Sequence, residues 1–306
     1  RAECGVVTLG DYPSERCRMR VGVVFPQTEL GGDPGAVRAY AETVEAAGFT
    51  HVLAYDHVVG ADPAVHTGWA GPYDVNTTFH EPLVMFGYLA AITRSVELVT
   101  GVIILPQRQT ALVAKQAAEV DLLSAGRLRL GIGIGWNAVE YEALTKDFSN
   151  RGKRSAEQIE LLRRLWTEQS VTFDGAYEQV TGAGLAPLPV QRPIPVWIGA
   201  ASVPGYRRAG RLADGWFPMM EPGPGLDYAR GIVEQAAAEA GRDPATIGME
   251  GRVTWSGDDD ALARNVAAWA DAGASHLSIN TMGAGLASVD EHLAVLTRVA
   301  ESLPKN

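Results

Sequence analysis

From residue 20 onward, short runs rich in β-branched residues alternate with longer segments in which apolar residues recur every three or four positions, the signature of parallel βα units. The first run, 20–25, leads into a helix whose start and stop are both visible. Asp33 is placed to cap it, Pro34 suits its first turn, Val37, Tyr40, Ala41, Val44 and Ala47 share one face, and Gly48 ends it. Strands are predicted at 51–55, 96–102, 128–132, 196–198, 215–217, 249–255 and 276–280. Helices are predicted at 81–93, 111–124, 153–167, 203–213, 228–240 and 261–272, and Ser288 with Glu291 forms a capping box for a last one. The helix at 153–167 turns Ala156, Ile159, Leu162, Leu165 and Trp166 inward. After it come a short run, 171–174, and a loop marked by Pro187, Pro189, Pro193 and Pro195. Eight strands each followed by a helical pattern predict an α/β fold, a closed (β/α)8 TIM barrel with insertions.

The length of 306 residues fits one such barrel but equally two average domains, so it is the strand count that decides. One barrel domain is expected over 19–306. Residues 1–18 show no usable periodicity and are expected to be a non-core extension, with Met19 opening the functional chain. The two cysteines, Cys4 and Cys17, both fall in that stretch, where a bridge would staple only the tail. A formal charge of −10 disfavours nucleic acid and anionic membrane as partners and leaves a small-molecule substrate. No apolar run approaches the roughly 18 residues of a membrane span, and the chain reads as cytosolic.

In a barrel of this kind chemistry sits at the C-terminal strand ends. There the chain places Phe25, Pro26 and Gln27; Asp56 and His57; residues 101–106; Gly133, Gly135 and Trp136; and Gly199, Ala200, Ala201 and Ser202. Gly131, Gly133 and Gly135, in GIGIGWNAVE, offer bare backbone N–H groups to a phosphate, against the alternative of close packing between strands. Anion binding is the expectation, because a second Gly-rich strand end at Gly199 suggests one shared cofactor. A dinucleotide fingerprint is set aside, since no acidic residue ends a strand about 20 positions on. Asp56-His57 leaves an apolar strand, so an imidazole able to exchange protons at neutral pH stands at the mouth. His51, His66, His80, His276 and His292 show no metal-ligand spacing, and no metal site is expected. Arg151, Lys153 and Arg154 crowd positive charge at a helix start, an arrangement that a polyanionic ligand would explain. The long loop 62–80, with Trp69, Tyr73 and Phe79, is expected to shape the pocket together with the Pro-rich segment.

Three stretches carry a resemblance: TGVIILPQRQTALVAKQAAEVDLLSAGRLRLGIGIGWNAVEYEAL, RGKRSAEQIELLRRLWTEQSVTFDG and PVWIGAASVPGYRRAGRLADGWFP. The chain resembles the bacterial luciferase-like flavin and deazaflavin oxidoreductases, in their coenzyme F420-dependent branch, through its motifs over 19–217 and through topology beyond. The resemblance implies the same barrel, with Asp56 and His57 beside the ring of the cofactor and His57 as proton donor or acceptor. It implies a bulge at Gly101-Val102, with a non-prolyl cis peptide, behind that ring. Gly133, Gly135, Trp136, Gly199, Ala200, Ala201 and Ser202 would line the ring edge and phosphate, with Lys153 and Arg154 along the anionic tail of F420. Where sugar-phosphate dehydrogenases of the family carry a Glu after the Gly-rich strand, this chain has Trp136, which speaks against that substrate class. Hydride transfer at C5 of F420 is the expected chemistry and a homodimer the expected assembly. The alternatives are an FMN-dependent monooxygenase of the same fold and a cofactor-binding protein without turnover.

Overall fold

The structure, a computed structural model, describes residues 19–302. The expectations for residues 1–18, including a Cys4 to Cys17 bridge, lie outside the described residues. The chain runs through β1 (Arg20–Val24), α1 (Pro34–Ala46), β2 (His51–Ala54), α2 (Pro82–Ile92), β3 (Glu97–Thr100), β4 (Ile103–Ile104), α3 (Thr110–Leu123) and β5 (Leu128–Gly133). It continues through α4 (Ala138–Ala143), α5 (Arg151–Thr167), β6 (Val171–Asp174), β7 (Gln179–Ala183), β8 (Val196–Ala200), α6 (Val203–Leu212) and β9 (Gly215–Pro218). The last units are α7 (Pro224–Glu239), β10 (Gly248–Thr254), α8 (Asp259–Asp271), β11 (His276–Asn280) and α9 (Val289–Ser302).

The parallel sheet runs β3-β2-β1-β11-β10-β9-β8-β5-β4, and pairing of Leu98 with Leu128 closes it. β3 and β4 together occupy one barrel position, so eight positions surround the axis. Helices pack their apolar stripes on the outside, as α1 does with Val37, Tyr40, Ala41 and Val44 after the Asp33 carboxylate accepts from the Gly35 N–H. The structure departs from the predicted elements in several places. The run 96–102 breaks at Gly101-Val102, and its continuation pairs separately with β5. β6 finds an antiparallel partner in β7, whose exposed residues carry no alternating signal. α7 begins four residues earlier than predicted, on Pro224. In the capping box Ser288 Oγ accepts from the Glu291 N–H, but the Glu291 carboxylate returns to the N–H of Ala287 rather than that of Ser288.

Inside the barrel, strand alternation stacks side chains in layers. The middle layer is apolar: Val24, Leu53, Val99, Trp197 and Phe217. Below it lies a buried ionic network with Glu250 at its centre. His51 Nε2 stands 3.0 Å from Glu250, Ser278 Oγ donates to it at 2.6 Å, and Arg129 pairs with its second oxygen. Arg129 also stacks on Trp197, with its guanidinium carbon 4.3 Å from the ring centroid. Burial opposes the Glu250 charge, yet Arg129, His51 and Ser278 hold its carboxyl far below the usual carboxylate range.

His276, beside this network, is pushed down to about 2 by burial, with Arg129 adding to the effect. A base whose folded pKa lies below its unfolded value of about 6.5 contributes stability that is complete above that value and is lost as pH falls through it. Urea midpoints are therefore expected to fall from pH 7 to 5. His276→Gln should flatten that slope, leaving the share of buried His292, which is shifted in the same direction. Equal slopes in parent and variant would remove His276 from this role.

Candidate active site

At the C-terminal mouth, the segment after β2 turns three residues to different tasks. Tyr55 continues the inward alternation of His51 and Leu53. Asp56 is buried in the wall, where Oδ1 accepts from Arg108 at 2.6 Å and Oδ2 from the Ile104 N–H at 3.1 Å. Burial pushes the Asp56 carboxyl above its ordinary value, with Arg108 and Ile104 pulling against it. Arg108 also reaches Glu81, the residue that caps α2. Asp56 clamps the chain just past the Gly101–Val102 peptide, which is cis.

His57 faces the mouth. Its Nδ1 lies 3.4 Å from Glu140 Oε1, which leaves Nε2 without a hydrogen-bond partner among the described residues. Tyr73 and Phe79 each approach its ring edge to face at 4.8 Å, and Trp136 stands at 5.8 Å. Trp136 is 45% exposed and leans on Trp69. Loop 62–80 thus folds back to wall in the imidazole, with Trp69 Nε1 donating to the Tyr73 carbonyl.

Glu140 was not singled out in the sequence. It lies on the short α4, started by the Asn137 side chain accepting from the Val139 and Glu140 N–H groups. Its carboxylate is buried and receives the Val58 N–H and, at 3.0 Å, Gln107 Nε2. Burial alone would raise its pKa, but the bonds from His57, Val58 and Gln107 outweigh burial and lower it. A carboxylate is therefore present at the site, one helical turn beyond Trp136. It fixes the ring orientation of His57, as an acidic partner does for a working imidazole. Glu140→Gln is expected to lower kcat about ten- to a hundredfold with a smaller change in KM; a change in KM alone would contradict this role.

The glycine-rich strand ends are closely packed by their neighbours. A Cβ on Gly131 would meet the Thr100 carbonyl oxygen at 1.8 Å. On Gly133 it would meet the Val102 side chain at 2.5 Å, and on Gly199 the same side chain at 3.3 Å. The missing side chains let Val102, thrown inward by the bulge, lie across two neighbouring strands as a smooth apolar wall. Gly135, at φ +66°, turns the chain toward Trp136 and α4. Ala200 is buried, whereas Ala201 and Ser202 are exposed at the start of α6, which Ser202 enters without a side-chain cap.

The basic cluster also separates. Arg154 bonds Glu178 through Nε at 3.0 Å and reaches the carbonyls of Pro106 and Arg108. Arg151 is turned onto Phe148, its guanidinium carbon 3.7 Å from the ring centroid. Only Lys153 stays exposed, so Arg151, Lys153 and Arg154 do not form one cationic rim. Of the hairpin that flanks Glu178, β6 coincides with the run at 171–174, whereas β7 had no counterpart in the predicted elements.

A second cation does reach the mouth. On β10, Glu250, Arg252 and Thr254 share the inward face, and Arg252 is exposed although it points into the barrel. Its guanidinium carbon lies 5.5 Å from the Tyr55 ring centroid. Burial raises the pKa of both Tyr55 and Tyr73, and the charge of Arg252 works against that rise in each. Arg252 therefore belongs to the same space as His57. Among the described residues no group of three His, Cys, Asp or Glu side chains is placed to hold a metal ion, and no helix is long and apolar enough to cross a membrane.

Comparison with known proteins extends this picture. A family model described as luciferase-like monooxygenase matches residues 19–300. An F420-dependent hydroxymycolic acid dehydrogenase of Mycobacterium tuberculosis is 31% identical over 257 residues, spanning 81% of this chain and 66% of the relative. Among solved structures, an F420-dependent secondary alcohol dehydrogenase in complex with an F420-acetone adduct superposes with a TM-score of 0.77 at 17% identity, over 94% of this chain and all of the other. The monooxygenase RslO1 from Streptomyces bottropensis superposes with a TM-score of 0.72 at 22% identity, over 93% of this chain and 98% of the other.

Proposed function

The chain belongs to the luciferase-like monooxygenase family, and on that premise we propose that it is an oxidoreductase that moves a hydride between the deazaflavin coenzyme F420 and a small organic substrate. The observation that carries this reading is the His57–Glu140 pair, walled by aromatic rings and open to the barrel mouth. The relative named as an F420-dependent dehydrogenase supports the choice of coenzyme.

The residues present fit such a group. A flat ring system needs a smooth wall, which Val102 forms over Gly133 and Gly199. Polar groups near the mouth are also available, since the buried Oε1 atoms of Gln27 and Gln107 lack a hydrogen-bond partner among the described residues. Val102, Gly133, Gly199 and Trp136 would hold the ring, with Ala201 and Ser202 toward its side chain. When bound, the coenzyme supplies the two-electron hydride chemistry.

The protein supplies orientation, exclusion of water and a proton path. Reducing a carbonyl takes one hydride and one proton, and the proton comes from His57 Nε2; oxidising an alcohol returns it there. Glu140 keeps Nδ1 occupied, so that Nε2 is the atom that exchanges. Tyr73, Phe79 and Trp136 keep bulk water from the imidazole.

A screen of alcohols and carbonyl compounds that follows F420 absorbance, with and without oxygen, tests this reading. Coenzyme turnover is expected without oxygen. An absolute need for oxygen and reduced FMN would make the protein a flavin monooxygenase instead, the activity named for its structural neighbour RslO1.

A further inference from the structure

The cation inside the barrel has no part in the proton path, and among the described residues it has no counter-charge. Arg252 forms no ion pair among the described residues, in contrast to Arg129 one layer below, which pairs with Glu250 and lies 3.4 Å from Glu97. Its nearest acid in sequence, Glu250, is taken up by Arg129, His51 and Ser278. Arg252 is exposed at the mouth, and a guanidinium there without an acidic partner among the described residues offers its fork of donors to an anion from outside. The barrel mouth gives such an anion access.

The position narrows which ligand that anion belongs to. β10 is four places round the barrel from the β3–β4 position that carries Val102, so Arg252 faces the apolar wall from across the mouth. It acts on Tyr55 and on Tyr73, a residue of the 62–80 loop, and Tyr73 also packs on His57. The cation thus belongs to the aromatic, loop-covered side that is left once a ring lies against Val102.

We propose that Arg252 is a specificity-determining residue that binds a carboxylate on the substrate, so that the substrate class is a small, aromatic or apolar organic acid. This rests on the F420 reading for the place of the coenzyme. Binding of an organic anion at Arg252 can nevertheless be measured whether or not F420 binds.

Benzoate and its neutral counterpart benzamide serve as probes, titrated calorimetrically into the protein with and without saturating F420. Benzoate is expected to bind at least about tenfold more tightly than benzamide. Arg252→Gln should abolish that preference and Arg252→Lys should keep part of it, because lysine retains the charge without the fork of donors. The affinity of both variants for F420 should stay within about threefold of the parent. Equal affinity for the two probes in the parent, or no saturable binding of either, would overturn the proposal. So would a loss of F420 affinity in Arg252→Gln as large as the loss for benzoate, which would assign the cation to the coenzyme. Failure of F420 binding in the parent, with the benzoate preference intact, would sink the F420 reading and leave the anion site standing.

Discussion

His57→Ala is expected to lower turnover by about two to four orders of magnitude, while the dissociation constant for F420 changes by no more than about threefold. The size follows from the role. Hydride transfer to a carbonyl leaves an alkoxide unless a proton arrives, and Nε2 of His57 is the ring nitrogen open to the mouth, with Nδ1 already engaged by Glu140. Truncation also opens the space between Tyr73, Phe79 and Trp136, which admits water but does not touch the Val102 wall. Parallel losses in affinity and rate would make His57 a binding residue. Unchanged kinetics would reduce it to part of the aromatic packing.

The second large effect lies at the opposite end of the barrel. Arg129→Met should destabilise the fold by roughly 3–5 kcal/mol, because it leaves the Glu250 carboxylate buried without its guanidinium partner. For a chain of this size that is a drop in Tm on the order of 10 °C. The exposed pair of Arg38 and Glu42 supplies the contrast: Arg38→Ala should leave the stability almost unchanged. Calorimetry on the two variants decides. A shift for Arg129→Met as small as that for Arg38→Ala would mean that His51 and Ser278 suffice to hold the charge.

The barrel was legible because its strands are buried on both faces, so their β-branched runs stand out against helices with clear caps and stops. Strand-end logic then led to His57 from two residues in the sequence. What stayed hidden depends on contacts between distant segments. Glu140 sits on a six-residue helix too short to show periodicity, and only the fold brings it to His57. Arg154 reads as a free cation until Glu178 meets it. Gly133 and Gly199 mark a close approach, and only the fold shows that Val102 is the side chain that makes it. Arg252 had a usable signal. In Met249-Glu250-Gly251-Arg252-Val253-Thr254 the polar residues alternate with the others, and in a closed barrel the face opposite the helices is the interior. Alternation places a charge there, but whether it is buried and paired like Glu250 or open like Arg252 depends on its depth along the axis.

An equilibrium titration of the purified protein with F420 and with FMN, followed by fluorescence, tests the coenzyme assignment most directly. Saturable binding of F420 at least about tenfold tighter than that of FMN is the expected result. Tighter binding of FMN, or no saturable binding of F420, would contradict it.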